Sequence, residues 1–111
     1  MKRAVSFEHN LAPGSIARVR FEKERGQITA FLVQLECLFD DEWHPVIRYD
    51  TAHDFAHRDV MRPNGTTEKT ALPVSEYNEA LTFAHEDIKT NWRLYRDRYQ
   101  RWLENERRRN V

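Results

Sequence analysis

The residues best suited to chemistry lie close together. In YDTAHDFAHRD, residues 49 to 59, His53 and His57 stand among Asp50, Asp54 and Asp59, with Arg58 beside the second imidazole. Imidazoles can act as both base and acid near neutrality, because an ordinary pKa of about 6.5 leaves both forms accessible. A guanidinium can neutralise charge on phosphoryl oxygens, and a carboxylate can hold an imidazole in one tautomer. The set therefore suits RNA cleavage without a metal. One imidazole takes the proton of a ribose 2′-hydroxyl, that oxygen attacks the adjacent phosphorus, and a second protonated group supplies the leaving 5′-oxygen. His57 is the candidate base, His53 or the more distant His85 the candidate acid, Asp50 the orienting carboxylate and Arg58 the candidate cation.

Two other readings compete. Asp, His and Asn are common in turns, where they bond the local backbone. Asp50, His53, Asp54 and His57 also offer two nitrogens and two carboxylates to a metal. A HxxxH spacing persuades only on a helix, however, and Pro63 and Gly65 follow directly. There is no HExxH, CxxC or glycine-rich phosphate loop, so no metal and no cofactor is expected.

Strands must position these groups. Ala17, Val19 and Phe21 alternate with Arg18, Arg20 and Glu22, the period of a half-buried strand. Glu24-Arg25-Gly26 supplies a turn into a second strand, about 27 to 39, whose apolar run ITAFLVQLECLF marks it as central. Asp40-Asp41-Glu42 turns into WHPVIRYD, where Pro45 belongs at a strand start or an edge. A fourth strand over 55 to 61 closes at Asn64-Gly65, and 66 to 72 can return beside it. On this strand, His57 and Asp59 share one face and Arg58 points to the other.

At Pro73-Val74-Ser75 the period changes from two to 3.6. Ser75 is a good N-cap, Glu76 suits the first turn, and Tyr77, Leu81, Ala84, Ile88, Trp92, Tyr95, Tyr99 and Trp102 form an apolar stripe. A helix over 76 to 107 would run roughly 48 Å at 1.5 Å per residue. That is long for 111 residues, so it is expected either to break near 89 to 91 or to pack its distal half on a partner, as in a homodimer. Arg93, Arg96 and Arg101, between the stripe residues, are the candidate nucleic-acid contacts. The predicted fold is α+β, one domain over 1–111: an N-terminal segment over 1–15, an antiparallel meander of four or five strands over 16–72, and the C-terminal helix.

Composition narrows the class. The chain has 18 Lys and Arg against 18 Asp and Glu, so no global basic field announces a nucleic-acid partner and any such site must be local. Cys37 is the only cysteine, which excludes an intrachain disulfide and fits a reducing cytoplasm. The start MKRAVSFEHN lacks an apolar run, and nothing approaches the roughly 20 apolar residues of a membrane span. A soluble, cytoplasmic protein is expected.

YDTAHDFAHRD, followed by a PNG hairpin and a long helix, resembles the core of the TumE-like toxins of prokaryotic toxin–antitoxin pairs. Tyr49 and Asp50 match that family's Tyr-Asp-Asn opening, with Thr51 in place of Asn, and His57-Arg58 match the first two members of its His-Arg-His run. Asp59 stands where a second histidine is expected, and Ala52, Phe55 and Ala56 replace the loop glycines. The likeness covers about residues 46 to 88. It implies an endoribonuclease toxin acting on RNA and neutralised by a cognate antitoxin. Against this stands a non-enzymatic interaction protein: antitoxin-like, regulatory or a dimeric scaffold.

Overall fold

The computed structural model describes residues 1–109. Six strands, β1 (Lys2–Ala12), β2 (Ser15–Glu24), β3 (Gln27–Phe39), β4 (Glu42–Asp50), β5 (His57–Met61) and β6 (Thr67–Ala71), pair in that order as one antiparallel sheet. One helix, α1 (Tyr77–Arg109), packs on it. The architecture is the expected α+β meander with one strand more than foreseen. That strand is β1, in the segment left without structure by sequence. Its Val5, Phe7 and Leu11 do alternate, but it is an edge strand with no fully buried residue, so its apolar signal is thin.

Turn chemistry fixes the register. Arg25 and Gly26 (φ 50° and 78°), and Asp40 and Asp41 (φ 51° and 65°), are all left-handed, as two-residue hairpin turns that follow the strand twist require. Pro45 lies in β4 where pairing to β5, which begins at Ile47, has not started, so its missing N–H leaves no rung empty on that side.

The two faces of the sheet differ in kind. On one, Val19 from β2, Phe31, Val33, Leu35, Cys37 and Phe39 from β3, and Ile47 and Tyr49 from β4 are buried beneath Ala80, Ala84, Ile88, Trp92, Tyr95 and Tyr99 of α1. Ala80 and Ala84 let the first half of the helix lie close to the strands, and the aromatics fill the wider gap at its distal half. The other face is polar: Arg18 bonds Glu8 at 2.6 Å and Glu36 at 2.7 Å, and Arg48 bonds Gln34 at 2.7 Å. A sheet with one face packed and one wet is the usual antiparallel solution.

The helix is continuous through 89 to 91, so the expected break is absent. The 13 residues of β3 span about 43 Å at roughly 3.3 Å each. The 33 residues of α1 span about 50 Å at 1.5 Å each. Helix and strand therefore run together end to end. Asn78 accepts a bond from the Ile28 N–H at 2.9 Å near the start of β3, and Arg107 pairs with Asp40 just past its end. The aromatic stripe that suggested a homodimer is used on the chain's own sheet. The helix opens at Tyr77, with Ser75 two residues before it rather than next to it, and the first-turn acid is Glu79. Among the described residues no helix is long and apolar enough to cross a membrane.

Candidate functional site

β4 ends at Asp50 and β5 begins at His57, its cross-strand partner, so the pleat puts both side chains on the face away from α1. His57 Nε2 lies 2.6 Å from Asp50 Oδ1 and 3.6 Å from Asp59 Oδ1. Its other nitrogen, Nδ1, faces the Phe55 carbonyl at 3.3 Å. A carbonyl only accepts, so Nδ1 carries a hydrogen and Nε2 is the nitrogen available for exchange. The tautomer is thus held by the backbone, and Asp50 lies beside the other nitrogen, Nε2.

Lys69, opposite Asp59 on β6, completes the group: its Nζ is 3.0 Å from His57 Nε2 and 3.3 Å from Asp59 Oδ1. Nε2 is in hydrogen-bond contact with Lys69, whereas the Asp50 and Asp59 Oδ1 atoms, though close to it, have no hydrogen-bond partner.

The imidazole is closed to solvent. His57 is 0% exposed, although it is outside the apolar core, because the segment after β4 folds over it. That segment forms a short 3₁₀ turn (Ala52–Asp54), tied down where Thr51 Oγ1 accepts from the Phe31 N–H at 3.1 Å. His53 and Asp54 in it take φ of 70° and 66°. These left-handed angles cost a non-glycine residue on the order of 1 kcal/mol each. Asp50 and Lys69 reach solvent, with side chains 17% and 44% exposed.

His53 is exposed, its ring centroid 6.4 Å from that of His57, so the structure brings the two histidines together. His85 is elsewhere: it lies near His9 of β1, with tilted rings whose centroids are 5.9 Å apart, on the helix face, and is removed as a candidate acid. Arg58 also leaves this group, since it pairs with Tyr49 on the helix face.

The metal set foreseen from sequence does not assemble as written. Asp50, His57 and Asp59, rather than Asp54 and His53, present ligand atoms within 4.8 Å of one another. The Lys69 ammonium stands beside two of these atoms and supplies the positive charge that a cation would bring there.

A second polar cluster occupies the opposite face. Asp87 of α1 accepts from the Tyr49 hydroxyl, from the Tyr95 hydroxyl at 2.7 Å and from Asn91 Nδ2 at 2.8 Å. Burial first, and then the Asp87 carboxylate, pushes both tyrosine hydroxyls above their ordinary pKa. Arg58 lies against this cluster.

Two of the three helix arginines foreseen as nucleic-acid contacts lie over aromatic rings, and the third is exposed. Arg96 sits over the Phe39 ring at 5.2 Å and bonds Gln100, Arg93 sits over Trp92 at 4.5 Å, and Arg101 is exposed.

A family model described as a domain of unknown function, DUF7718, matches residues 1–105. The chain belongs to that family. The match takes in the whole sheet and nearly all of α1, so the DUF7718 unit includes both polar clusters. Its description assigns no activity and makes no link to TumE-like toxins. No curated protein and no solved structure matches the chain.

Two residues of this DUF7718 chain escaped sequence reasoning. Lys69 was legible in principle, because a hairpin closed at Asn64-Gly65 sets it across from Asp59 as an opposite-charge pair. Asp87 gave a weaker signal: an acid two positions before Lys89 on a helix reads as solvated surface until its tyrosine partners are known.

Proposed function

We propose that this chain is a metal-independent endoribonuclease, the toxin of a toxin–antitoxin pair. The observation that supports the reading is the 2.6 Å approach of Asp50 to His57 Nε2, with Lys69 3.0 Å from the same nitrogen. His57 Nε2, together with Asp50, takes the proton of a ribose 2′-hydroxyl. The 2′-oxygen then bonds to phosphorus as the bond from phosphorus to the 5′-oxygen breaks. His53 gives its proton to that leaving oxygen, and the products are a 2′,3′-cyclic phosphate and a 5′-hydroxyl end. Lys69 takes the role foreseen for Arg58, holding charge on the phosphoryl oxygens. The buried ring requires the turn over it to lift before a ribose can reach Nε2, a gating step of the kind loops commonly provide. RNA is then the substrate and a cognate antitoxin the neutralising partner.

The 0% exposure of His57 favours a second reading, in which the cluster pins the loop to the sheet and the protein is a non-enzymatic interaction module. The test is cleavage of single-stranded RNA in EDTA by wild type, His57→Ala and Asp50→Ala, with folding checked by circular dichroism. Cleavage by wild type that drops at least a hundredfold in both folded variants supports the enzyme. An inert wild type, or full activity in both variants, overturns it.

A further inference from the structure

The sheet extends past the helix. α1 packs over β3 and β4, so the helix-side residues of β5 and β6 form the floor of a groove whose wall is the distal half of α1. Arg58, Val60 and Arg62 alternate onto that floor, and Tyr95, Arg98 and Trp102 come from the wall. Arg62 Cζ is 4.1 Å from the Trp102 ring centroid, and Arg98 Cζ is 5.0 Å from that ring and 5.4 Å from Tyr95. Two guanidiniums therefore share one indole.

These cations are incompletely matched by acids. The Nε atoms of Arg58 and Arg98 are buried and have no hydrogen-bond partner. Of the carboxylates that face them, Asp87 is already taken up by Tyr49, Tyr95 and Asn91, and exposed Glu68 reaches Arg62 only at 4.0 Å. Burial, with the like charges of Arg58 and Arg62 adding to it, lowers the Arg98 pKa. An anion in the groove would relieve both the orphaned donors and the repulsion. Further along lies a cleft of about 140 Å³ bordered by Arg62, Asn64, Trp102, Asn105 and Arg109, with one acid, Glu106, among them. At about 30 Å³ per water it holds on the order of five.

We propose that this groove binds the phosphate backbone of single-stranded RNA, with Arg58, Arg62 and Arg98 on phosphate oxygens and Trp102, freed as Arg62 swings from its ring to a phosphate, stacking on a base. A cationic channel with aromatic platforms is how unpaired strands are held without sequence preference. The proposal rests on the reading that RNA is the ligand. It uses the opposite face of β5 from His57, so binding and cleavage are separable.

The test is fluorescence anisotropy with a short fluorescein-labelled oligouridylate, in EDTA, across a salt series, with inorganic phosphate as competitor. Arg62→Gln with Arg98→Gln should weaken binding at least tenfold and flatten the salt slope by about 0.7 for each phosphate no longer neutralised. Arg62→Gln alone, at an exposed position, should weaken it severalfold without touching the fold. Glu68→Gln, which removes the competing acid, should tighten it about twofold. Competition by inorganic phosphate against wild type is expected. Failure of wild type to bind the oligonucleotide, or unchanged affinity in the folded double arginine variant, overturns the proposal. Arginine-dependent binding with no cleavage would keep the groove and remove the enzyme.

Discussion

His57 and Arg58 are neighbours in the chain and lie on opposite sides of the sheet. The imidazole is enclosed beside Asp50 under the loop, and the half-buried guanidinium stands against Tyr49 on the helix side of the sheet. The period-two alternation of a strand permits nothing else. One strand therefore feeds two separate polar clusters, and each can be probed alone.

Lys69→Met tests the loop-side cluster with little risk to the fold, since the side chain is half in solvent. RNA cleavage should fall at least tenfold while the melting temperature moves by only a few degrees. His57→Ala, by contrast, opens a void among buried groups and should also lower stability, by roughly 1–3 kcal/mol. Denaturant unfolding of both variants beside the cleavage assay separates the two effects.

Asp87→Ala removes the acceptor shared by Tyr49 and Tyr95 and leaves a buried hydroxyl without a partner. The expected cost is about 1–3 kcal/mol. Tyr49→Phe in the Asp87→Ala background should cost far less than in wild type, because the bond is already gone. A double-mutant cycle by urea unfolding reads this coupling directly.

Alkali should unfold the protein through the same tyrosines. Burial and then Asp87 raise the pKa of Tyr49 and Tyr95 in the folded state, while in the unfolded chain tyrosine ionises near 10. Above about pH 10 the unfolded state thus holds fewer protons, so the stability these groups contribute is full below that pH and is lost as pH rises toward their folded values. The melting temperature should fall steeply above pH 10 in wild type and less steeply in Tyr49→Phe.

Ile88 is fully buried at the middle of the helix stripe. Ile88→Ala should destabilise by about 2–5 kcal/mol through lost burial and the cavity left behind. An equal change at exposed Leu94, Leu94→Ala, should cost well under 1 kcal/mol. Equal effects at both sites would mean that the helix is not packed on the sheet through this stripe.

Much of the fold was legible because local rules and the final packing agree. The apolar run 28–39 became the central strand, the dipeptides at Arg25-Gly26 and Asn64-Gly65 placed two of the turns, and the stripe after Ser75 gave the helix. Edge strand β1 was missed because half-exposed strands carry little apolar signal. The length of the helix looked excessive only because the length of the strand it accompanies had not been set against it. For the site, alternation along β5 correctly divided His57 and Asp59 from Arg58, whereas the pairing of Asp50 with His57 depended on how the connection over 51–56 folds. The covering of the imidazole, the arrival of Lys69 and the separation of His85 could not be read, since each depends on where a distant segment comes to rest.

By itself the sequence determined which residues face which side, because a strand has a period of two and a helix a period of 3.6, and both are properties of the local backbone. Tertiary structure alone decided which of those faces meet. It closed the loop over His57, set Asp87 between two tyrosines and left Arg58, Arg62 and Arg98 along one open groove, because contacts across the sheet and between sheet and helix are fixed by the packing of the whole chain.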